Sequence, residues 1–110
     1  MNAPGASDIA GWTVQLGPAP GEVTLAGEID FSVTPQVRQR LVGLVDSGIP
    51  GLTVHLAGLS YIDSSGLALL LELRRTLTES GRFLRIVDIS PQVRKLFKLT
   101  ELGSLFGLSD

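Results

Sequence analysis

The stretch "LSYIDSSGLALLLELRR", residues 59–75, decides the fold. It opens as a short apolar strand and passes through Asp63, Ser64, Ser65 and Gly66. It then continues as a leucine-rich helix. At 100° per residue, Gly66, Leu70, Leu73 and Leu77 fall on one stripe, the expected core face. Ser65 shares the opposite, outward side with Ala68, Glu72 and Glu79. Leu67 and Leu71 flank the stripe, either as the margin of a wide buried face or as partner contacts. Asp63 or Ser64 is the better cap candidate, since short oxygen side chains satisfy the free N–H groups of a first helical turn. A strand running directly into a helix is half of a crossover unit, so the rest of the chain is read for its other half.

Upstream, "WTVQL" (12–16) alternates as a strand, "GPAPG" turns, and "EVTLAGEI" (22–29) returns as its hairpin partner. In "FSVTPQVRQRLVGLVDSG" (31–48), Thr34 is the expected cap and Pro35 the expected first helical residue. Val37, Leu41, Leu44 and Val45 recur at helical spacing, and Gly48 stops the helix. "GLTVHLAGLSYI" (51–62) reads as one strand, with Leu52, Val54 and Leu56 on one face and Thr53, His55 and Ala57 on the other. Downstream, "RFLRIVDI" is a further strand and "SPQVRKLFKL" a helix capped by Ser90 with Pro91 first. Leu102, Leu105 and Phe106 give the tail a packed final element.

Strands alternating with helices predict a mixed α/β sheet of four to five strands, parallel through its crossovers. The mixed second face of the later strands predicts helices mainly on one side, because a doubly covered sheet reads apolar on both. One hundred and ten residues make a single domain, expected over 11–110 after a flexible tail at 1–10. The 44% hydrophobic content is enough for a core of its own.

Composition removes several function classes. The net charge of −2 and the absence of a basic run speak against a nucleic-acid partner. With no cysteine, thiol catalysis and cysteine-held metals are excluded, and a cytoplasmic location is expected. No stretch is apolar for the roughly 18 residues of a membrane span, and the N-terminus has no signal-peptide pattern. No phosphate-binding or dinucleotide glycine motif is present, so no cofactor is expected.

A right-handed crossover makes strand 22–29 parallel to strand 51–62, so Asp30 after one and Asp63, Ser64 and Ser65 after the other meet on one rim. Open α/β sheets place their sites on that rim. A first-turn hydroxyl there tolerates phosphate, because the free N–H groups and the dipole favour an anion. Asp30 and Asp63 oppose the same charge, so modification alters the surface without breaking the fold. The plain alternative is a helix cap. A nucleophile needs a base within reach, and the only histidine, His55, lies mid-strand and reads as structural. Asp30 and Asp63 could begin an oxygen site for a divalent cation, but two carboxylates are few, and no metal is expected.

In combination, "LAGEID", "VHLAGLSYIDSSGLALLLELRR" and "RIVDISPQVRKLFKLTEL" resemble a STAS domain, and more narrowly the bacterial anti-sigma factor antagonists. The resemblance runs from about Trp12 to Leu108. It implies no enzymatic activity and a partner-switching role. Such a protein binds an anti-sigma factor that is also a serine kinase, and so frees the sigma factor. It is released when phosphorylated and restored by a phosphatase. The resemblance places the phosphate on the second serine of the pair, Ser65 (Ser64 being the alternative). It puts Asp30 beside that serine in the kinase contact, with Asp63, Ser64, Ser65 and Gly66 completing the partner-binding set. A second implied role is a scaffold subunit of a stressosome-like or lipid-transport assembly.

Overall fold

A computed structural model describes residues 11–108, so the expectation for the tail at 1–10 lies outside the described residues. The order is β1 (Trp12–Leu16), β2 (Glu22–Ile29), α1 (Thr34–Asp46), β3 (Gly51–His55), β4 (Leu59–Ile62), α2 (Ser64–Glu79), β5 (Phe83–Val87), α3 (Pro91–Thr100) and a 3-10 turn at Gly103–Phe106. β1 and β2 form the antiparallel hairpin. β2, β3 and β5 run parallel through the crossovers, in the order β1-β2-β3-β5, and β4 pairs with β2.

The segment read as one strand at 51–62 is two. β3 lies between the first half of β2 and β5; β4 continues beside the second half of β2 alone. The chain turns at Leu56–Gly58, where Leu59 N–H donates to the Leu56 carbonyl. The Gly58 carbonyl accepts from Gly27 N–H at 2.9 Å, opposite a register shift in β2 between Gly27 and Glu28. Gly27 has φ +92°, and a Cβ there would lie 2.0 Å from the Gly11 carbonyl oxygen, so only glycine fits the bulge. The bend carries the D-S-S-G segment to the end of β2.

Alternation along the strands sorts the two faces. Val23, Leu25, Leu52, Val54, Leu84 and Ile86 are buried, together with Val37, Leu41 and Val45 of α1. α2 adds Gly66, Leu67, Leu69, Leu70, Leu73 and Leu77, so its buried face is wide and Leu67 belongs to it. Leu71 is half-buried against the same core. Phe106 of the 3-10 turn packs edge-on against Phe97, with ring centroids 5.7 Å apart. Leu105, expected inside, is exposed, and its carbonyl accepts from Arg74 Nε at 2.7 Å.

The helix starts differ in chemistry. Ser90 caps α3 through Val93 N–H as expected, and its own hydroxyl donates to the Leu59 carbonyl, tying α3 to β4. Thr34 does not cap α1; it is the first helical residue, preceded by Val33, and Pro35 is the second. The Thr34 hydroxyl instead donates to the Asp30 carbonyl at 2.8 Å. That bond is better placed, because the Asp30 carbonyl also accepts from the Val33 and Thr34 N–H groups at the turn into the helix.

The second face of the sheet carries half-buried Glu22, Thr24, Thr53 and His55 and exposed Arg85. There His55 of β3 meets Glu22 of β2 and Asp88, the residue after β5: Nδ1 lies 2.8 Å from Asp88 Oδ2, and Nε2 lies 3.5 Å from Glu22 Oε2. The hydrogen bond to Asp88 raises the imidazole pKa; partial desolvation opposes this, and Glu22 adds to the rise. A raised folded-state pKa contributes stability that is full below the unfolded value, about 6.5, and is lost as pH rises through the folded value. His55→Gln is therefore expected to destabilise the protein more at pH 6 than at pH 9. Denaturant unfolding at the two pH values checks this, and an equal loss at both contradicts it.

Candidate functional site

Parallel pairing of β2 with β4 sets Ile29 opposite Ile62, so the residues following each strand emerge side by side. Asp63 is the N-cap of α2. Its Oδ1 accepts from Ser65 N–H at 3.0 Å, from Gly66 N–H at 3.2 Å and from the Ser65 hydroxyl at 2.9 Å. Its Oδ2 reaches across to Phe31 N–H at 2.9 Å. Its own N–H donates to the Ile29 carbonyl at 3.1 Å. Asp30 thus sits between two residues that are both bonded to Asp63, and the rim predicted from topology is closed by hydrogen bonds.

The remaining carboxylate is locally committed. Asp30 Oδ1 accepts from the N–H and hydroxyl of Ser32, at 2.9 and 2.6 Å, which folds the β2–α1 loop into an Asx turn. Partial desolvation alone would push the Asp63 carboxyl up. The Gly66 N–H, the Ser65 hydroxyl and the Phe31 and Ser65 N–H groups outweigh it and hold the carboxyl below its ordinary value.

The two serines are not equivalent. Ser64, the first residue of α2, is exposed; Ser65, the second, is half-buried. The helical wheel places Ser65 correctly beside exposed Ala68 and Glu72, yet its hydroxyl folds back onto the cap carboxylate instead of standing free. The expectation of an openly solvent-facing Ser65 is corrected to this extent. A wheel gives direction only, and a first-turn hydroxyl next to an aspartate cap finds an acceptor there.

Gly66 is buried where α2 crosses the strand ends. A Cβ there would lie 2.5 Å from Ile62 Cγ1, 2.8 Å from Ile62 Cδ1 and 3.3 Å from Ile29 Cγ2. Its function is close approach, and that approach sets Ser65 directly over the rim. Beyond Ser65 the surface of α2 is charged: Glu72 pairs with Arg38 of α1, at 3.2 Å from the Arg38 Nε. That pairing holds the Glu72 carboxyl below its ordinary range.

The hydroxyl and the histidine do not meet. The Ser65 hydroxyl donates to Asp63, and the imidazole of His55 is committed to Asp88 and Glu22. Among the described residues no group of three or more histidine, cysteine, aspartate or glutamate side chains is placed to hold a metal ion. No described helix is long and apolar enough to cross a membrane. One rim residue escapes the sequence reading. Phe31 follows the G-E-I-D segment and is 75% exposed. An aromatic residue between Asp30 and Ser32, in the loop after a strand, is the available signal.

Known proteins share this arrangement of strands and helices. The STAS domain family matches residues 13–110. The anti-sigma-B factor antagonist of Staphylococcus epidermidis is 32% identical over 89 residues, covering 81% of this chain and 82% of that protein. A crystal structure of an anti-sigma factor antagonist from Mycobacterium paratuberculosis superposes with a TM-score of 0.76 at 26% identity, covering 96% of this chain and 87% of the other. The phosphorylated form of the Bacillus cell fate determinant SpoIIAA superposes with a TM-score of 0.65 at 25% identity, covering 86% of each chain. The chain belongs to the STAS family, among its anti-sigma factor antagonists. Proteins of this class are regulators that act by binding and not by catalysis.

Gly66→Ala tests the close approach. Overpacking against Ile62 costs about 1–3 kcal/mol, against a gain in helix propensity of about 1 kcal/mol. The expected net result is a lower thermal midpoint, and a raised midpoint contradicts the packing role.

Proposed function

We propose that this protein captures an anti-sigma factor with serine kinase activity through the Asp30–Asp63–Ser65 rim, and that phosphorylation of Ser65 releases it. The observation that carries the reading is the placement of the Ser65 hydroxyl. It lies in the first turn of α2, bonded to the cap carboxylate and joined through Asp63 to the loop holding Asp30. A phosphate there adds about −1.5 to −2 charges. The positive end of the α2 dipole tolerates that charge, so the fold persists. Asp63 loses the hydroxyl proton it shares and faces a dianion. The rim turns from a neutral hydroxyl between carboxylates to a strongly anionic patch, and a surface fitted to the first form rejects the second.

The kinase must first draw the Ser65 hydroxyl off Asp63, at the loss of one hydrogen bond to a charged group, about 1.5–3 kcal/mol. Productive binding therefore includes contact with the cap itself, and Asp63 and Ser64 belong to the recognised surface along with Asp30; Gly66, expected in the same set, is buried and contributes through its packing alone. A phosphatase returns the protein to its binding form. Anti-sigma factors act where sigma factors do, which places the cycle in the cytoplasm. The Staphylococcus and Mycobacterium relatives are antagonists that match over most of their length, and this favours an antagonist over a scaffold subunit.

Incubation with the cognate kinase and ATP, followed by mass spectrometry, is expected to place one phosphate on Ser65. Ser65→Ala should bind the kinase and resist release. Ser65→Asp should bind at least about tenfold more weakly, the effect of some 1.4 kcal/mol of charge repulsion. A phosphate on Ser64 alone, or equal affinity of the two variants by calorimetry, contradicts the reading.

A further inference from the structure

The chain has four phenylalanines, and three are accounted for by packing. Phe97 and Phe106 are fully buried against each other. Phe83 is 43% exposed, but its ring fills the space over Gly51 and the guanidinium of Arg85 covers it at 4.7 Å. Phe31 alone stands three-quarters exposed. Yet the backbone beneath it is held on both sides. Its N–H is bonded to Asp63 Oδ2, and the Asx turn of Asp30 and Ser32 follows it at once. Directly after that turn, the N–H groups of Val33 and Thr34 return to the Asp30 carbonyl.

A large apolar ring on a hydrogen-bonded loop gains nothing for folding. It does suit recognition, because little backbone entropy remains to be lost on binding and aromatic side chains dominate the energetics of interfaces. Its neighbour decides which interface. The carboxylate that fixes the Phe31 N–H also accepts the Ser65 hydroxyl, so ring and switch residue belong to one continuous surface. We propose that Phe31 is the apolar anchor of the rim, seated in an apolar pocket of the anti-sigma factor, and that Asp63 is the residue that positions it. The inference rests on the reading of the rim given above and adds to it a hydrophobic contact separate from the charge switch.

The test titrates wild-type protein and variants, by calorimetry, against each serine-kinase anti-sigma factor encoded in the same genome, purified with ADP. Phe31→Ala removes no core contact and should keep the wild-type thermal midpoint. Its affinity is expected to fall at least about 30-fold, the loss that marks an interface hot spot. Phe31→Leu, which keeps most of the apolar bulk, should stay within about tenfold of wild type. For Asp63, the penalty of Phe31→Ala is measured again in an Asp63→Asn background. Positioning predicts a smaller penalty there, whereas a purely structural role for Asp63 leaves it unchanged. If wild type binds and Phe31→Ala binds within threefold of it, the anchor is overturned while the switch stands. If wild type binds none of the kinases, both are overturned. Self-association in sedimentation that Phe31→Ala abolishes without changing kinase affinity assigns the ring to a second copy and also overturns the proposal.

Discussion

One carboxylate holds the functional end of this protein together. Asp63 accepts from Phe31 N–H with one oxygen and from the first turn of α2 and the Ser65 hydroxyl with the other, while its N–H binds the Ile29 carbonyl. A helix cap is ordinarily a local device of about 1 kcal/mol. Here the cap also joins two crossover loops separated by 32 positions in the chain. The cap reading and the switch reading are therefore the same structure seen at two ranges. The bonds that stabilise the helix start are the bonds that set the hydroxyl, the adjacent Asp30 and the exposed ring in fixed relation.

That arrangement depends on glycine at two points where backbone comes too close for a side chain. Gly27 makes the bulge in β2 that bends its partner segment into β3 and β4. Gly66 lets α2 settle on Ile29 and Ile62. The bend lets β4 leave the central pairing and run with β2 alone, which brings Asp63 to Phe31. Away from the rim, the open face of the sheet is occupied by the His55–Asp88–Glu22 cluster, which bridges strands and leaves the imidazole without access to the serines. The histidine cluster and the proposed switch occupy different parts of the sheet.

Much of this was legible in the sequence, for reasons that lie in particular residues. The leucine spacing of α2, the hairpin turn at 17–21 and the Ser90–Pro91 start of α3 are local signals with single physical meanings, and the fold follows from them. Element order alone brought Asp30 and Asp63 to one rim. The break at Leu56–Gly58 was misread because the alternation of "GLTVHLAGLSYI" runs through it. The glycine within that run was the signal of a turn, and its partner bulge lies in a different strand. Thr34 was misread as a cap because a hydroxyl before Pro35 fits that pattern, while the competing acceptor, the Asp30 carbonyl, is visible only in three dimensions. The turned-back Ser65 hydroxyl and the bond from Phe31 to Asp63 depend on atomic distances that no periodicity carries.

The account stands or falls on whether a single carboxylate grips both loops. An acid titration followed by 1H–15N NMR reads this directly, through the amide shifts of Phe31, Ser65 and Gly66. The three amides are expected to move together, at one midpoint below the ordinary aspartate value of about 3.9, because all three donate to Asp63 and its pKa is lowered by them. In an Asp63→Asn variant the common transition should vanish. A Phe31 amide that stays still while Ser65 and Gly66 titrate, or a midpoint at or above the ordinary value, would show that Asp63 is only a helix cap and that the rim is not one unit.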